Sequence, residues 1–282
     1  MTSVSVAAPP PGDWRAQVFD GALLIVPQVV SLGPFRAYVE QLLIEAFAPA
    51  SPALAQGELE PDEFMARIEQ LRTSFRGDAH ARALLVPVLE HFGLAPAATF
   101  WDRLNLRVLP AGAEPQHEAD VALGAHRDTW GSNVYAQVNW WLPLHAVTAA
   151  RAIAFYPRHW RTPMPNDSAA WDLDLLRDER RRGVQATVPL VPSPTGPVDP
   201  ADALAVVIQP GDLLVFSGAQ LHATVPNTSG VPRFSVEIRT VALDDVRSGR
   251  GAPNIDGAAP RVPWDWFRRV DDRTPLTTVL GG

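Results

Sequence analysis

Between Phe100 and Leu243 the chain is a succession of short apolar stretches, each closed by a turn signal, and this pattern narrows the choice of folds more than any other feature. Leu104 to Leu109 and Val134 to Leu144 alternate apolar and polar residues, which gives a strand one apolar and one polar face. Arg151 to Tyr156, 204–209, 212–216, 220–225 and 233–243 read as further short strands. Many short strands at close spacing predict a sandwich or jelly-roll barrel rather than a βαβ fold. The order is broken once, by the proline-rich segment 157–203, in which only Ala169 to Arg182 reads as a helix. A long insertion between strands is expected to form a lid or a wall of a site.

The chain ahead of this block is mostly helical. Phe35, Tyr38, Val39, Leu42, Leu43 and Phe47 recur at helical spacing, Pro61 opens a second helix over 61–75, and a third runs from 79 to Gly93. Residues 16–31 read as one or two strands, and the Pro- and Ala-rich residues 1–13 are expected to be disordered. The expected organisation is therefore one domain over 1–282. A helical buttress over 14–99 supports a β core over 100–243, and a tail over 244–282 carries Trp264 and Trp266 and packs back on it.

Within the core, His126 and Asp128 stand two residues apart, so in extended backbone both side chains leave on one face while Arg127 leaves on the other. A second histidine, His222, lies on another predicted strand after the Pro210-Gly211 turn and the run Leu213 to Phe216. Each histidine alone is more commonly a hydrogen-bonded structural residue. Two imidazoles and one carboxylate together form the facial triad that holds non-heme Fe(II) and leaves coordination positions open. Eleven residues past His222 comes Arg233-Phe234-Ser235, after a turn through Pro226 to Gly230 that is expected to bring Arg233 back antiparallel beside the His222 strand. Arg233, Ser235, Glu237 and Arg239 share one face of that strand, either a solvent-facing side or the lining of a barrel mouth.

In these three parts and their order, over roughly 100–243, the chain resembles the Fe(II)/2-oxoglutarate-dependent oxygenases, and most of all their phytanoyl-CoA-dioxygenase-like branch. The resemblance implies a mainly β fold with flanking α-helices, the double-stranded β-helix of jelly-roll, cupin-like barrels. It implies Fe(II) on His126, Asp128 and His222, with Arg233 and Ser235 on the far carboxylate of 2-oxoglutarate and dioxygen as the oxidant. It also implies that the carboxylate of Asp128 favours hydroxylation over halogenation. Asn139 and Gln137 are candidates to contact 2-oxoglutarate or to orient a ligand, or are sheet residues with satisfied amides. Arg239, Arg107, Trp130 and Asn133 are candidate contacts to the prime substrate; Trp130, like Trp140 and Trp141, reads more readily as core packing. Arg151, Arg158 and Arg161 are candidates to meet an acidic substrate group, with a surface charge the commoner reading of each. Of the remaining histidines, only His117 with Glu118 and Asp120 approaches a second metal pattern.

Composition excludes several chemistries. No cysteine is present, so disulfides, thiolate nucleophiles and Cys-ligated zinc are absent. All 24 basic residues are arginine, which removes Schiff-base and pyridoxal chemistry. A net charge of −7 argues against nucleic acid or an anionic membrane as partner. No secretory leader and no run of about 18 apolar residues is seen, so a cytoplasmic location is expected. The pattern carries no signal of oligomeric state. The expected activity is hydroxylation of a C–H bond in a small polar metabolite, for example an amino or organic acid of secondary metabolism. A cupin-type dioxygenase that does not use 2-oxoglutarate and a non-catalytic metal-binding barrel are the alternatives.

Overall fold

The computed structural model describes residues 3–7, 10, 12–112 and 123–281; the candidate His117, Glu118 and Asp120 lie outside the described residues. In chain order the first part contains β1 (Ser3–Val6), α1 (Trp14–Phe19), β2 (Ala22–Val26), α2 (Leu32–Phe47), α3 (Ala55–Glu58), α4 (Pro61–Gly77) and α5 (Ala79–His91). The core follows with β3 (Thr99–Trp101), β4 (Asn105–Leu109), α6 (Asp128–Ser132), β5 (Val138–Pro143), β6 (Ile153–Phe155) and α7 (Leu173–Arg181). It continues with β7 (Leu204–Val206), β8 (Leu213–Ser217), β9 (His222–Thr224) and β10 (Arg233–Ala242), and the tail adds α8 (Leu243–Ser248), β11 (Arg268–Arg269) and α9 (Leu276–Leu280).

The strands form two sheets. The larger runs β1-β2-β8-β5-β10-β3-β11, with β4 also on β10; the smaller runs β7-β6-β9. β10 is the pivot, antiparallel to β5 along one side and to β4 and then β3 along the other. Strand alternation divides its side chains. Phe234, Val236 and Ile238 join Trp140 and Leu142 of β5 and Leu106 and Val108 of β4 in the main apolar core. That core is closed by Phe35, Val39 and Phe47 of α2, Phe64 and Ile68 of α4, and Leu85 and Val88 of α5. Burying one such side chain contributes roughly 1.5–3 kcal/mol. The helices thus blanket one face of the large sheet. They start where their sequences direct: Pro61 is the first residue of α4, and the Asp78 carboxylate caps α5 by accepting from Ala81 N at 2.9 Å.

The opposite face of the large sheet carries Arg233, Ser235, Glu237 and Arg239, with Asn139 and Trp141 of β5 and Asn105 and Arg107 of β4 in register beside them. This polar face looks toward the smaller sheet. The gap between the sheets is filled at one end by Trp141, Phe155, Leu214 and Phe216.

Four expectations change. Residues 3–6, expected to be disordered, add a parallel edge strand to β2. Residues 14–19 are a helix, not a strand, because Trp14, Val18 and Phe19 bury one face of a short turn of helix. His126 lies in an isolated bridge rather than a full strand, and Asp128 already opens α6. β9 and β10 do not form a hairpin: β9 pairs with β6 in the small sheet, and β10 pairs with β5 in the large one. The loop between them is drawn across to the end of β4, where the buried Asn227 side chain donates to Leu109 O at 3.0 Å and Val231 O at 2.7 Å. Pro232 has no N–H with which to extend a ladder. Among the described residues no helix is long and apolar enough to cross a membrane.

Candidate metal centre

His126 and His222 face each other across a two-way bridge, each backbone N–H donating to the other's carbonyl at 2.9 Å. The bridge brings the imidazoles together, centroids 4.4 Å apart and planes tilted by 46°. Each ring is then turned the same way: Nδ1 of His126 lies 2.9 Å from Gly124 O and Nδ1 of His222 2.9 Å from Gln220 O. A carbonyl only accepts, so each Nδ1 carries the proton and each Nε2 presents a lone pair to the site. Asp128 enters from the first turn of α6, with Oδ1 3.6 Å from Nε2 of His126. All three residues are buried, and one donor atom from each lies within 4.8 Å of the others. Among the described residues this is the one group of histidine, aspartate or glutamate side chains with metal-binding geometry.

The Asp128 carboxylate is held from both sides. On Oδ2 it accepts from Asn139 Nδ2 at 2.5 Å and from Gln137 Nε2 at 3.1 Å; on Oδ1 it accepts from Arg239 Nη2 at 3.3 Å. Gly218 permits this approach, since a Cβ there would stand 2.7 Å from Gln137 Nε2 and 3.3 Å from the Asp128 Cβ. Burial pushes the Asp128 carboxyl up, but Arg239 and the two imidazoles more than offset it and hold it well below the usual carboxylate range. Burial, reinforced by His126, lowers His222 to about 4, so its imidazole is neutral, the metal-binding form, at physiological pH.

No model of a known protein family matches the chain, and no curated protein matches it. Solved structures do. The chain is similar to EvdO2 from Micromonospora carbonacea var. aurantiaca, complexed with 2-oxoglutarate, at 21% identity over 78% of this chain and 86% of that one, with a TM-score of 0.43. It is similar to the epimerase SnoN, in complex with Fe3+, alpha ketoglutarate and nogalamycin RO, at 17% identity over 87% and 92%, TM-score 0.43. It is similar as well to ThoJ, a non-heme monooxygenase, at 19% identity over 77% and 74%, TM-score 0.40.

A small cavity beside the imidazoles is lined by His126, His222, Trp141, Ile153 and Arg233. Arg233 reaches it from the large sheet, donating through Nη1 to Ala152 O at 3.0 Å and Arg151 O at 3.3 Å and lying 5.9 Å from the Trp141 ring. Its Nε, and Oγ of Ser235 two residues on, are buried without a hydrogen-bond partner among the described residues. Burial, then the nearby Arg107, lowers the guanidinium to about 10. A larger cavity of about 310 Å³ opens on the Asp128 side, with Gln137 and Arg239 in its wall. Arg107, Leu123 and Arg239 line both cavities.

Several candidates sit elsewhere than expected. Asn139 and Gln137 both donate to the Asp128 carboxylate. Arg239 is not a free substrate contact: it bridges Asp128 and Glu237, the latter at 3.1 Å. Trp130 is fully buried and borders neither cavity; its indole N–H donates to Asp256 Oδ1 at 2.7 Å. Asn133 ends α6 in left-handed backbone and donates to Ala259 O at 3.3 Å, also away from both cavities. Arg107 does face the site. Arg158 and Arg161 pair with Asp202 and Asp20, as surface charges do.

Sequence reading missed Asp102, Gly218 and Asp256. Asp256, in the tail, accepts from the buried Arg127 Nε at 3.1 Å and from Met164 N at 2.9 Å, which fixes the backbone between the first two triad residues. No local pattern marks it, because its partners lie far away in sequence.

Proposed function

We propose that the chain is a non-heme iron oxygenase that couples decarboxylation of 2-oxoglutarate to oxidation of a substrate C–H bond, on a double-stranded β-helix like that of the family it resembles, including the phytanoyl-CoA-dioxygenase-like branch. The observation that carries this reading is the pair of orphaned donors, Arg233 Nε and Ser235 Oγ, buried two residues apart on β10, with Arg233 lining the cavity beside a His-Asp-His cluster. Buried unpaired donors are costly, and a carboxylate satisfies both. In this reading His126 and His222 hold the metal through Nε2 and Asp128 through Oδ1. Asn139 and Gln137 keep Oδ2 turned away, and Arg233 with Ser235 takes the distal carboxylate of 2-oxoglutarate. Bound iron supplies dioxygen activation: dioxygen, 2-oxoglutarate and R–H give R–OH, succinate and carbon dioxide. The protein's share is to position the C–H bond in the larger cavity and to keep water from it. Hydroxylation is the default outcome, and the substrate is a small molecule bearing a charged group.

The test is succinate formation from 2-oxoglutarate with Fe(II), across a panel of small acids and metabolites. Succinate should require iron and should fall to background in a folded His222→Ala variant. Substrate oxidation that consumes dioxygen without yielding succinate would replace this reading with a dioxygenase that does not use the cosubstrate.

A further inference from the structure

The larger cavity lies between two walls of opposite character. One is β4, where Asn105 and Arg107 project on one face by strand alternation while Leu106 and Val108 face the core, with Arg103 in the wall just before the strand. The other is the insertion 157–203, where Leu173, Leu176, Arg177 and Arg180 fall on one face of α7 and Trp171 packs before it. Asp128 lies in the wall, so a molecule held here adjoins the triad.

Its charge is unbalanced. Six arginines line the cavity against two carboxylates, Asp102 and Asp128. Asp128 is committed to the metal centre, and burial raises Asp102 to about 7, so it is only partly ionised near neutrality. Of the arginines, Arg127 is taken by Asp256, Arg239 by Asp128 and Glu237, and Arg177 by Asp265 at 3.2 Å. Arg107 has only a long 3.6 Å contact with Glu237. Arg103 has no ion pair among the described residues; its Nε donates to the Asn105 amide at 3.2 Å. The Arg103 side chain is exposed at the cavity's edge. In a chain of net charge −7, a cationic cavity of this kind concentrates anions.

We propose that this cavity takes a substrate with an anionic group, held by Arg103 and Arg107, and an apolar body laid against Trp171, Leu173 and Leu176. A guanidinium pair recognises a carboxylate or a phosphate by the same charge-assisted geometry. The apolar wall selects a ring- or chain-bearing acid over a fully polar metabolite. The inference rests on the oxygenase reading for calling this ligand the substrate.

Isothermal titration of the metal-free full chain, without 2-oxoglutarate, separates the two questions. The probes are 4-phenylbutyrate, 2-phenylethyl phosphate and the neutral 4-phenylbutyramide. At least one of the two acids should bind about tenfold or more tightly than the amide, and the stronger acid identifies the anion. Arg103→Gln, a change at an exposed side chain, and Arg107→Gln as second variant should each reduce that preference and leave the amide's affinity unchanged. Equal binding of acids and amide overturns the proposal, as does no binding at millimolar concentration. So does loss of acid binding in Arg233→Gln with retention in Arg103→Gln, since the probe would then sit in the cosubstrate cavity. If the acids bind through Arg103 but no substrate ever yields succinate, the oxygenase reading fails and the anion site stands.

Discussion

Each triad histidine gives its Nδ1 proton to a carbonyl two residues earlier in the chain, so the backbone, not a charged neighbour, sets the tautomer. Asp128 is handled differently, by two amides on one oxygen and a guanidinium on the other. This division separates two kinds of variant. Asn139→Ala removes the 2.5 Å hydrogen bond on Asp128 and should weaken metal binding by on the order of 10–100-fold, the usual cost of losing a ligand's outer partner. Arg233→Gln should leave metal affinity alone and raise the 2-oxoglutarate requirement about tenfold or more, since a charge-assisted hydrogen bond contributes roughly 1.5–3 kcal/mol. Metal titration and cosubstrate saturation measured on both variants check this. A cosubstrate requirement that moves in Asn139→Ala and stays fixed in Arg233→Gln would reverse the assignments. Arg239→Gln is unsuitable as a substrate-side control, because Arg239 touches Asp128. Residue types and spacing pointed to His126, Asp128 and His222, which folding brings together, and the resemblance singled out Arg233 and Ser235. Gly218 and Asp256 were not, since each acts on a residue brought near only by folding.

Among the elements, the strands with clear alternation were legible: β4, β5 and β10 lie within or close to their expected ranges, because a two-residue period survives any choice of partner. Pairing was harder. The β9–β10 hairpin was expected from adjacency in sequence, yet Asn227 anchors their connection to the end of β4 and sends the two strands to different sheets. Residues of the insertion 157–203 line the larger cavity, but its contents were not legible, since short 3-10 turns and one nine-residue helix leave little periodicity. Around α7 the ties are non-covalent, among them Trp171 Nε1 donating to Pro189 O at 2.9 Å and an exposed Arg261–Asp174 pair. Asp172 caps α7 at 2.9 Å, while Arg177 ties the helix to Asp265 of the tail by a half-exposed pair of small energetic value. A segment so held is expected to open on its own, well below the free energy of global unfolding. Hydrogen exchange should therefore be fast over 157–203 in the free protein and slow there on addition of 2-oxoglutarate and a bound acid. Unchanged exchange over that segment, with protection elsewhere, would make it a fixed wall instead of a cover.

For the molecule as a whole, the triad draws its residues and their partners from both sheets. His222 belongs to the small sheet, while Asp128 is bound to Asn139 of the large sheet and, through Arg239, to β10. One end of the gap between the sheets is closed by the apolar cluster around Phe155 and Phe216. The imidazoles meet across a single bridge, and Asp128 pairs with Arg239, so in the metal-free chain nothing directly links the Nε2 atoms to the carboxylate except the 3.6 Å contact of His126. A divalent ion would join all three groups and so bind the folded chain far better than the unfolded one. At a free concentration of 100 times Kd that linkage contributes about 2.7 kcal/mol. For a domain of this size each kcal/mol raises Tm by roughly 2–4 °C, so the shift should be on the order of 5–10 °C. Thermal unfolding with Co(II), or with Fe(II) under anaerobic conditions, should show this rise, and a chelator should reverse it. His222→Ala should lose the shift while its metal-free transition remains cooperative. An equal shift in His222→Ala would place the ion elsewhere on this acidic protein and detach it from the triad.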